Sequence, residues 1–161
     1  MILITGGIKS GKSSLALELA RKVSGPRLFI ATSEAFDKEM EKKISRHKKE
    51  RGAGFILREE PVEIFEALSS DKSNVCIIDC MTIWLGNLIH YNKDINRYFK
   101  ILIRSLKGNE IIVTNEVGLG VIHADPMSRA YVNRLGELNK MLAKRADEVY
   151  LMVSGLKVRI K

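Results

Sequence analysis

Long apolar runs, cysteines and aromatic residues are all scarce in this sequence of 161 residues. No apolar run approaches the roughly 20 residues that would span a bilayer. The first strand-like run has no charged segment before it and no small-residue cleavage site after it, as a secretory signal would require. We therefore expect a cytoplasmic protein without a stable membrane span.

The length suits a single domain, residues 1–161, and is too short for two ordinary ones.

Only two cysteines are present, Cys76 and Cys80, four residues apart in what we interpret as one strand. At that spacing both side chains point to the same face, roughly 13 Å apart. That separation is too large for a disulfide, and two thiols without further ligands make a poor zinc site. We expect two reduced thiols that serve in packing.

Aromatic residues make up 6% of the chain, whereas the net charge is +8. A basic protein can bind nucleic acid, but no basic run here is interleaved with aromatic side chains that could stack on single-stranded bases. The charge also suits a site for polyanionic small molecules such as nucleoside triphosphates, or a solvated lysine-rich surface. We expect no nucleic-acid partner.

Short apolar runs alternate with helical patterns along the whole chain. The runs are rich in Val, Ile and Leu without polar alternation, which is typical of strands buried on both faces of a parallel sheet. Strands are predicted at 2–5, 27–31, 55–57, 75–79, 111–114, 149–153 and, at an edge, 158–160. Helices are predicted at 13–23, 37–51, 61–68, 82–106 and 126–145. The fold class is α/β: a mostly parallel sheet with helices on both faces.

The strongest motif directly follows the first predicted strand. Gly6 and Gly11-Lys12-Ser13 occupy the fixed positions of a P-loop, with a strand before them and a helix after. Glycines let backbone N–H groups approach phosphate oxygens, and the helix N-terminus adds partial positive charge. We expect Lys12 to contact the β- and γ-phosphates of a purine nucleoside triphosphate and Ser13 to bind Mg²⁺. The candidate phosphate site is Gly6, Gly7, Ile8, Lys9, Ser10, Gly11, Lys12 and Ser13.

Asp79 is the candidate second Mg²⁺ ligand. It ends the apolar run 75–79, and an acid at the end of a buried strand usually binds the metal in P-loop proteins, directly or through water. A helix cap for the following segment is the alternative. We favour the metal role.

His47 lies on the predicted helix at 37–51. It continues an apolar stripe with Phe36, Met40 and Ile44, so it faces the body of the protein. Spacing alone favours a partly buried, structural histidine. The surrounding lysines and arginines, however, favour the uncharged imidazole, which is the nucleophilic form. They would also stabilise a transferring phosphoryl group, so attack on the α-phosphate of a nucleotide is a second possibility.

An ordered series of motifs extends over nearly the whole chain. In sequence order these are Ile4-Thr5-Gly6-Gly7, Ser10-Gly11-Lys12-Ser13, Phe29-Ile30-Ala31-Thr32-Ser33, Ile44-x-x-His47-Lys48, Glu59-Glu60-Pro61, Asp79-Cys80-Met81-Thr82, Trp84-Leu85-x-Asn87-Leu88, Asn115-Glu116-Val117-Gly118-Leu119-Gly120 and Ala146-Asp147-Glu148-Val149. With this series the chain resembles the bifunctional adenosylcobinamide kinase/adenosylcobinamide-phosphate guanylyltransferase family of cobalamin biosynthesis. The P-loop alone is generic, whereas the run 115–120 together with the histidine-containing helix is specific.

The resemblance implies a RecA-like P-loop fold, a homo-oligomer that is commonly a trimer, and two reactions. In the first, ATP or GTP phosphorylates the hydroxyl of adenosylcobinamide. In the second, GMP passes from GTP to adenosylcobinamide phosphate, which gives adenosylcobinamide-GDP and pyrophosphate. Mg²⁺ is the implied metal cofactor.

The resemblance also implies roles for particular residues. The family's guanylylated histidine falls on His47, so the catalytic candidates are His47 and Lys12. Besides the P-loop, the implied nucleotide contacts are Ala31, Thr32, Ser33, Lys48, Lys49, Glu50, Arg51, Glu59 and Asp79.

Two other functions fit parts of the sequence. A simple P-loop kinase for a small metabolite would use the P-loop and leave His47 structural. A RecA-like ATPase that binds nucleic acid would use the net charge of +8, and its binding would weaken steeply with salt. The absence of an aromatic-basic patch and the small size argue against the second.

Overall fold

The structure, a computed structural model, describes residues 1–34, 54–120 and 123–161. Within these ranges, seven strands form one sheet in the order β3-β2-β4-β5-β1-β6-β7. Every neighbouring pair is parallel except β6 and β7, which are antiparallel. The strands are β1 (Ile2–Gly6), β2 (Arg27–Ala31), β3 (Ile56–Glu59), β4 (Val75–Asp79), β5 (Glu110–Val113), β6 (Glu148–Val153) and β7 (Leu156–Arg159).

Helices cover both faces of this sheet. The described helices are α1 (Lys12–Arg21), α2 (Ile64–Ser70), α3 (Met81–His90), α4 (Ile95–Ser105) and α5 (Pro126–Arg145). Side chains alternate along each strand, so Leu3 packs on one face with residues of α2 to α5, whereas Ile4 packs on the other with residues of α1. The structure therefore confirms the predicted α/β class. The predicted helix at 37–51 lies outside the described residues.

The larger core lies between the sheet and helices α2 to α5. Trp84 of α3 is fully buried there, and its indole N–H donates to the Val62 carbonyl at 2.8 Å. On α5, the buried residues Leu135, Leu138 and Leu142 follow the helical spacing that the sequence predicts, and Tyr131 packs against the same cluster. This packing fixes α3 and α5, whose polar side chains hold the loop after β5.

Two predicted helices differ from the observed ones. The helix expected from Pro61 begins at Ile64, because the Glu60 carboxylate accepts the N–H groups of Val62 and Glu63 and holds that segment in a turn. The helix expected at 82–106 is two helices, α3 and α4. Asn92 between them has a left-handed φ of 50°, and Asp94 caps the second helix.

Both cysteines are buried free thiols, as expected from the sequence. The expectation that both lie on one strand and point to one face is wrong. β4 ends at Asp79, one residue before Cys80. Cys76 packs in the core under α2 to α5, whereas Cys80 packs in the core under α1. Burial raises the pKa of the Cys80 thiol to about 11 and raises that of Cys76 further. Both side chains are therefore neutral packing groups near pH 7.

None of the helices in the described ranges combines the length and apolar character that crossing a membrane requires.

Candidate nucleotide-binding site

The loop between β1 and α1 has the conformation that its glycines permit. Gly6 and Gly11 have φ values of 144° and 95°, which side chains of L-residues rarely allow. Lys9 is also left-handed, at 57°. Gly7, Ile8 and Lys9 are exposed at the outer side of the loop. The N-terminal N–H groups of α1 thus open onto a loop without side-chain bulk at Gly6, Gly7 and Gly11, which is the geometry that binds phosphate.

Lys12 lies over this loop. Its side chain is only 7% exposed, and Nζ donates to the Gly7 carbonyl at 2.5 Å. Burial lowers the pKa of this ammonium group, and the neighbouring Asp79 carboxylate opposes that shift. The interaction brings the first residue of α1 and the last residue of β4 into one site. The structure therefore brings together Lys12 and Asp79, which the sequence predicted as site residues from separate motifs.

Two buried hydroxyls beside the loop have no hydrogen-bond partner among the described residues. They are Thr5 Oγ1, just before Gly6, and Ser10 Oγ, inside the loop. Buried polar atoms are rarely left without a partner. A polar ligand or water molecules bound at the phosphate loop would supply hydrogen-bond partners for both hydroxyls.

Ser13 and Asp79 are suitable Mg²⁺ ligands in type and place. Ser13 is the second residue of α1, and Asp79 ends β4 at the carboxyl edge of the sheet; both are half-buried. A hydroxyl and a carboxylate supply the oxygen atoms that Mg²⁺ prefers, and Mg²⁺ usually keeps several waters. No group of three or more His, Cys, Asp or Glu side chains in the described ranges could hold a metal alone. One hydroxyl and one carboxylate suit a metal that completes its coordination with waters and nucleotide phosphates.

The end of β2 is tied to the end of β4 by Thr32. Its N–H donates to the Asp79 carbonyl at 3.1 Å, and its hydroxyl both donates to the Cys80 carbonyl and accepts from the Cys80 N–H. Thr32 is fully buried, Ala31 is buried and Ser33 is half-buried. Glu59, at the end of β3, pairs with Ala31 in the sheet and is exposed. The structure thus places these four residues at the same edge as the P-loop, while a nucleotide contact from each stays a prediction.

Sequence reasoning missed the polar side chains that hold the loop after β5. Asn139 of α5 accepts from the Thr114 hydroxyl at 2.8 Å and donates to the Asn115 carbonyl at 3.1 Å. Thr82 of α3 accepts from the Asn115 N–H at 2.9 Å. The signal for Asn139 was present: it follows Leu135 by four residues, so it is a polar residue at the margin of an apolar helix face.

The candidate nucleophile and its neighbours are not among the described residues. His47 and Lys48, Lys49, Glu50 and Arg51 fall between 34 and 54. Their predicted roles stay predictions.

Three features define a P-loop nucleotide-binding protein: a glycine-rich loop between a parallel strand and a helix, a buried lysine over it, and an acid at the end of the next strand but one in the sheet. Solved structures agree in fold. The flagellar accessory protein FlaH of Methanocaldococcus jannaschii aligns with a TM-score of 0.54 at 13% identity, over 99% of this chain and 77% of its own. A type III secretion system ATPase of pathogenic bacteria aligns with a TM-score of 0.55 at 12% identity, over 98% of this chain and 56% of its own.

Within that class, the chain belongs to the cobinamide kinase/cobinamide phosphate guanyltransferase family, whose model matches residues 2–160. It is 36% identical to the bifunctional adenosylcobalamin biosynthesis protein CobP of Pseudomonas aeruginosa, over 99% of this chain and 96% of that protein. It is 33% identical to the bifunctional adenosylcobalamin biosynthesis protein CobU of Escherichia coli, over 100% of this chain and 99% of that protein.

Proposed function

We propose that this enzyme phosphorylates adenosylcobinamide with ATP or GTP and then transfers GMP from GTP to adenosylcobinamide phosphate. The product is adenosylcobinamide-GDP, an intermediate of cobalamin biosynthesis. The observation that carries this proposal is the match to the family over residues 2–160, together with a formed P-loop. A simple small-metabolite kinase is the alternative that the experiment below separates.

The nucleotide site we propose is built on the P-loop and on the neighbouring strand ends. The phosphates lie on residues 6–13, with Lys12 against the β- and γ-phosphates. Parallel sheets bind ligands at the carboxyl ends of their strands. The further contacts we propose are Ala31, Thr32, Ser33, Lys48, Lys49, Glu50, Arg51, Glu59 and Asp79.

In the kinase reaction the chain positions the reactants and neutralises charge. The Lys12 ammonium group, which donates to the Gly7 carbonyl at 2.5 Å, turns to the phosphate oxygens when the nucleotide binds. It then stabilises the charge that these oxygens gain in the transition state. Ser13 and Asp79 would hold Mg²⁺, which supplies further neutralisation of the phosphate charge when bound. No covalent enzyme intermediate is needed.

In the guanylyl transfer, His47 is the nucleophile that we propose. Its imidazole nitrogen forms a bond to the α-phosphorus of GTP while the bond from the α-phosphorus to the bridging oxygen breaks, and pyrophosphate leaves. A phosphate oxygen of adenosylcobinamide phosphate then attacks the same phosphorus, breaks the P–N bond and restores the histidine. Lys12 contributes by orienting the triphosphate in the first step.

Label transfer from GTP tests the nucleophile. Incubation with GTP labelled at the α-phosphate should leave label on the protein through a bond that is labile in acid and stable in base, as expected of a phosphoramidate. His47→Ala should abolish this label, and Lys12→Ala should reduce both the label and the kinase rate. His90→Ala and His123→Ala, which change exposed histidines, should label like the wild type. A His47→Ala protein that still labels would disprove the assignment, and a wild-type protein that never retains label would favour the simple kinase.

We further propose that residues 1–161 act as one domain, in the cytoplasm and as a homo-oligomer, with no nucleic-acid partner. The family membership and the continuous sheet from β3 to β7 support a single unit.

A further inference from the structure

The segment Asn115-Glu116 at the end of β5 is the part of the site for which the two reactions above assign no role. β5 lies between β4, which ends in Asp79, and β1, which leads into the P-loop. Val113 pairs with Asp79 on one side and with Ile4 on the other. Glu116 therefore follows the strand that separates the metal-ligand candidate from the phosphate loop.

The backbone on both sides of Glu116 is fixed by hydrogen bonds. The Glu116 N–H donates to the Gly6 carbonyl at 3.0 Å, which ties it to the first residue of the P-loop. The other polar group of that same peptide unit, the Asn115 carbonyl, accepts from Asn139 at 3.1 Å. One residue earlier, the Asn115 N–H donates to Thr82 Oγ1 at 2.9 Å. On the far side, Val117 packs against the larger core.

Thr82 and Asn139, which bond to the backbone beside Glu116, form further hydrogen bonds of their own. The Asn139 side chain accepts from the Thr114 hydroxyl at 2.8 Å, and both residues are buried. The Thr82 carbonyl accepts from the Tyr131 hydroxyl at 2.7 Å. Polar groups of α3 and α5 thus set the position of the Glu116 Cα relative to the P-loop.

The Glu116 carboxylate, in contrast, forms no hydrogen bond or ion pair with any residue in the described ranges, and it is half-buried. Its Oε1 lies 3.7 Å from where a Cβ on Gly118 would stand, so the glycine leaves room beside it. A carboxylate on a backbone that is bonded to the phosphate loop, and unused by the fold, is suited to accept a proton from a reacting group.

We propose that Glu116 is the general base of the phosphoryl-transfer step, which rests on the proposed function. A Glu116 oxygen accepts the proton of the acceptor hydroxyl as the hydroxyl oxygen forms a bond to the γ-phosphorus. The bond between the γ-phosphorus and the β–γ bridging oxygen breaks, and the nucleoside diphosphate leaves with that electron pair. The proton then passes from Glu116 to water. The guanylylation of His47 involves no acceptor hydroxyl, so Glu116 has no part in it.

The two half-reactions separate this role from a structural one. Glu116→Gln keeps the size of the side chain and removes its basicity. We expect it to lower kcat for γ-phosphoryl transfer to adenosylcobinamide by about 100-fold or more, in the range by which general bases act. Labelling from α-labelled GTP should stay within about threefold of the wild type. Glu116→Asp, which retains a carboxylate, should recover part of the kinase rate, and the exposed Glu66→Gln of α2 is the matched control that should change neither.

An unchanged kinase rate in Glu116→Gln would overturn the proposal. So would an equal loss of kinase rate and labelling, because that pattern indicates a role in nucleotide or metal binding shared by both reactions. If wild-type protein neither phosphorylates adenosylcobinamide nor retains label, the proposed function fails first, which is distinct from either result.

Discussion

Gly6 joins β1 to the phosphate loop at a point where no side chain fits. A Cβ at this position would lie 2.3 Å from the Met152 carbonyl oxygen of β6 and 3.0 Å from Ser10 Oγ, and φ is 144°. The obstacle on the β6 side is backbone of a paired strand, which cannot move without disturbing the sheet. The carbonyl of the same residue also accepts the Glu116 N–H. One glycine thus determines how closely three strand ends approach.

We predict that Gly6→Ala weakens nucleoside triphosphate binding by at least about tenfold, or roughly 1.4 kcal/mol. The added methyl group forces the loop away from β6, and a non-glycine residue at this φ adds strain. Binding can be followed by titration calorimetry with GTP, and circular dichroism reports whether the variant is folded.

The matched control is Gly136→Ala within α5, where a Cβ would meet nothing within 4 Å. Because alanine favours helix more than glycine does, by about 1 kcal/mol, this variant should be at least as stable as the wild type and bind GTP equally well. Unchanged GTP affinity in Gly6→Ala would show that the loop is not the phosphate site.

At the scale of residues, the sequence predicted the P-loop itself but not the side chains that hold the neighbouring loop after β5 in place. The fixed P-loop positions are local in the chain, so spacing identifies them. Asn139 and Thr82 lie on helices far along the chain from Asn115, and only packing brings them together. The Thr32 hydroxyl, predicted as a nucleotide contact, bonds to Cys80 in the structure, a tertiary contact that no spacing reveals.

At the scale of elements, α5 begins with a cap that was legible in the sequence. The Asp125 carboxylate accepts the Ser128 N–H at 2.7 Å, and Pro126 occupies the first turn. That backbone hydrogen bond lowers the pKa of the Asp125 carboxyl below its ordinary value of about 4. A carboxyl with a depressed pKa contributes stability above that ordinary value, and the contribution is lost as the pH falls through the folded-state pKa.

Asp125→Ala should therefore lower the melting temperature at pH 7, and the gap to the wild type should narrow as the pH falls below about 4. Thermal melts followed by circular dichroism between pH 3 and pH 7 measure this. Asp125→Asn should stay near the wild type at pH 7, because asparagine also caps helices. A gap that stays constant down to the lowest pH would mean that the charge of the carboxylate makes no contribution.

Element types were more predictable than element ends. Every strand forecast from an apolar run is present, since burial on both faces leaves a clear pattern. The break between α3 and α4 was not foreseen, because Leu88 and Ile95 pack in the same core at helical spacing, and the left-handed backbone of Asn92 between them is seen only in the structure. The late start of α2 has the same kind of cause: a side chain, Glu60, competes for backbone N–H groups.

For the whole molecule, β7 forms an edge of the sheet with exposed apolar side chains. Leu156 and Val158 within it, and Ile160 directly after it, are all exposed. Such an edge strand invites association with another chain. This supports the homo-oligomer that we propose.

We predict that light scattering coupled to size exclusion gives three times the 18.1 kDa mass of the chain. The measurement should be repeated at high salt, because the net charge of +8 opposes association of like chains more strongly at low ionic strength. A mass of one chain at micromolar concentrations would contradict the prediction.

The strand order also governs when this protein can become active during its synthesis. β1 is made before β5 and β6, the two strands between which it lies, and the backbone of β6 at Met152 lies against Gly6. Its two neighbours leave the ribosome only after more than a hundred residues have been added. The phosphate loop after β1 thus stays incomplete until β6 has emerged, so we expect a nucleotide to bind only chains that have been extended past Met152.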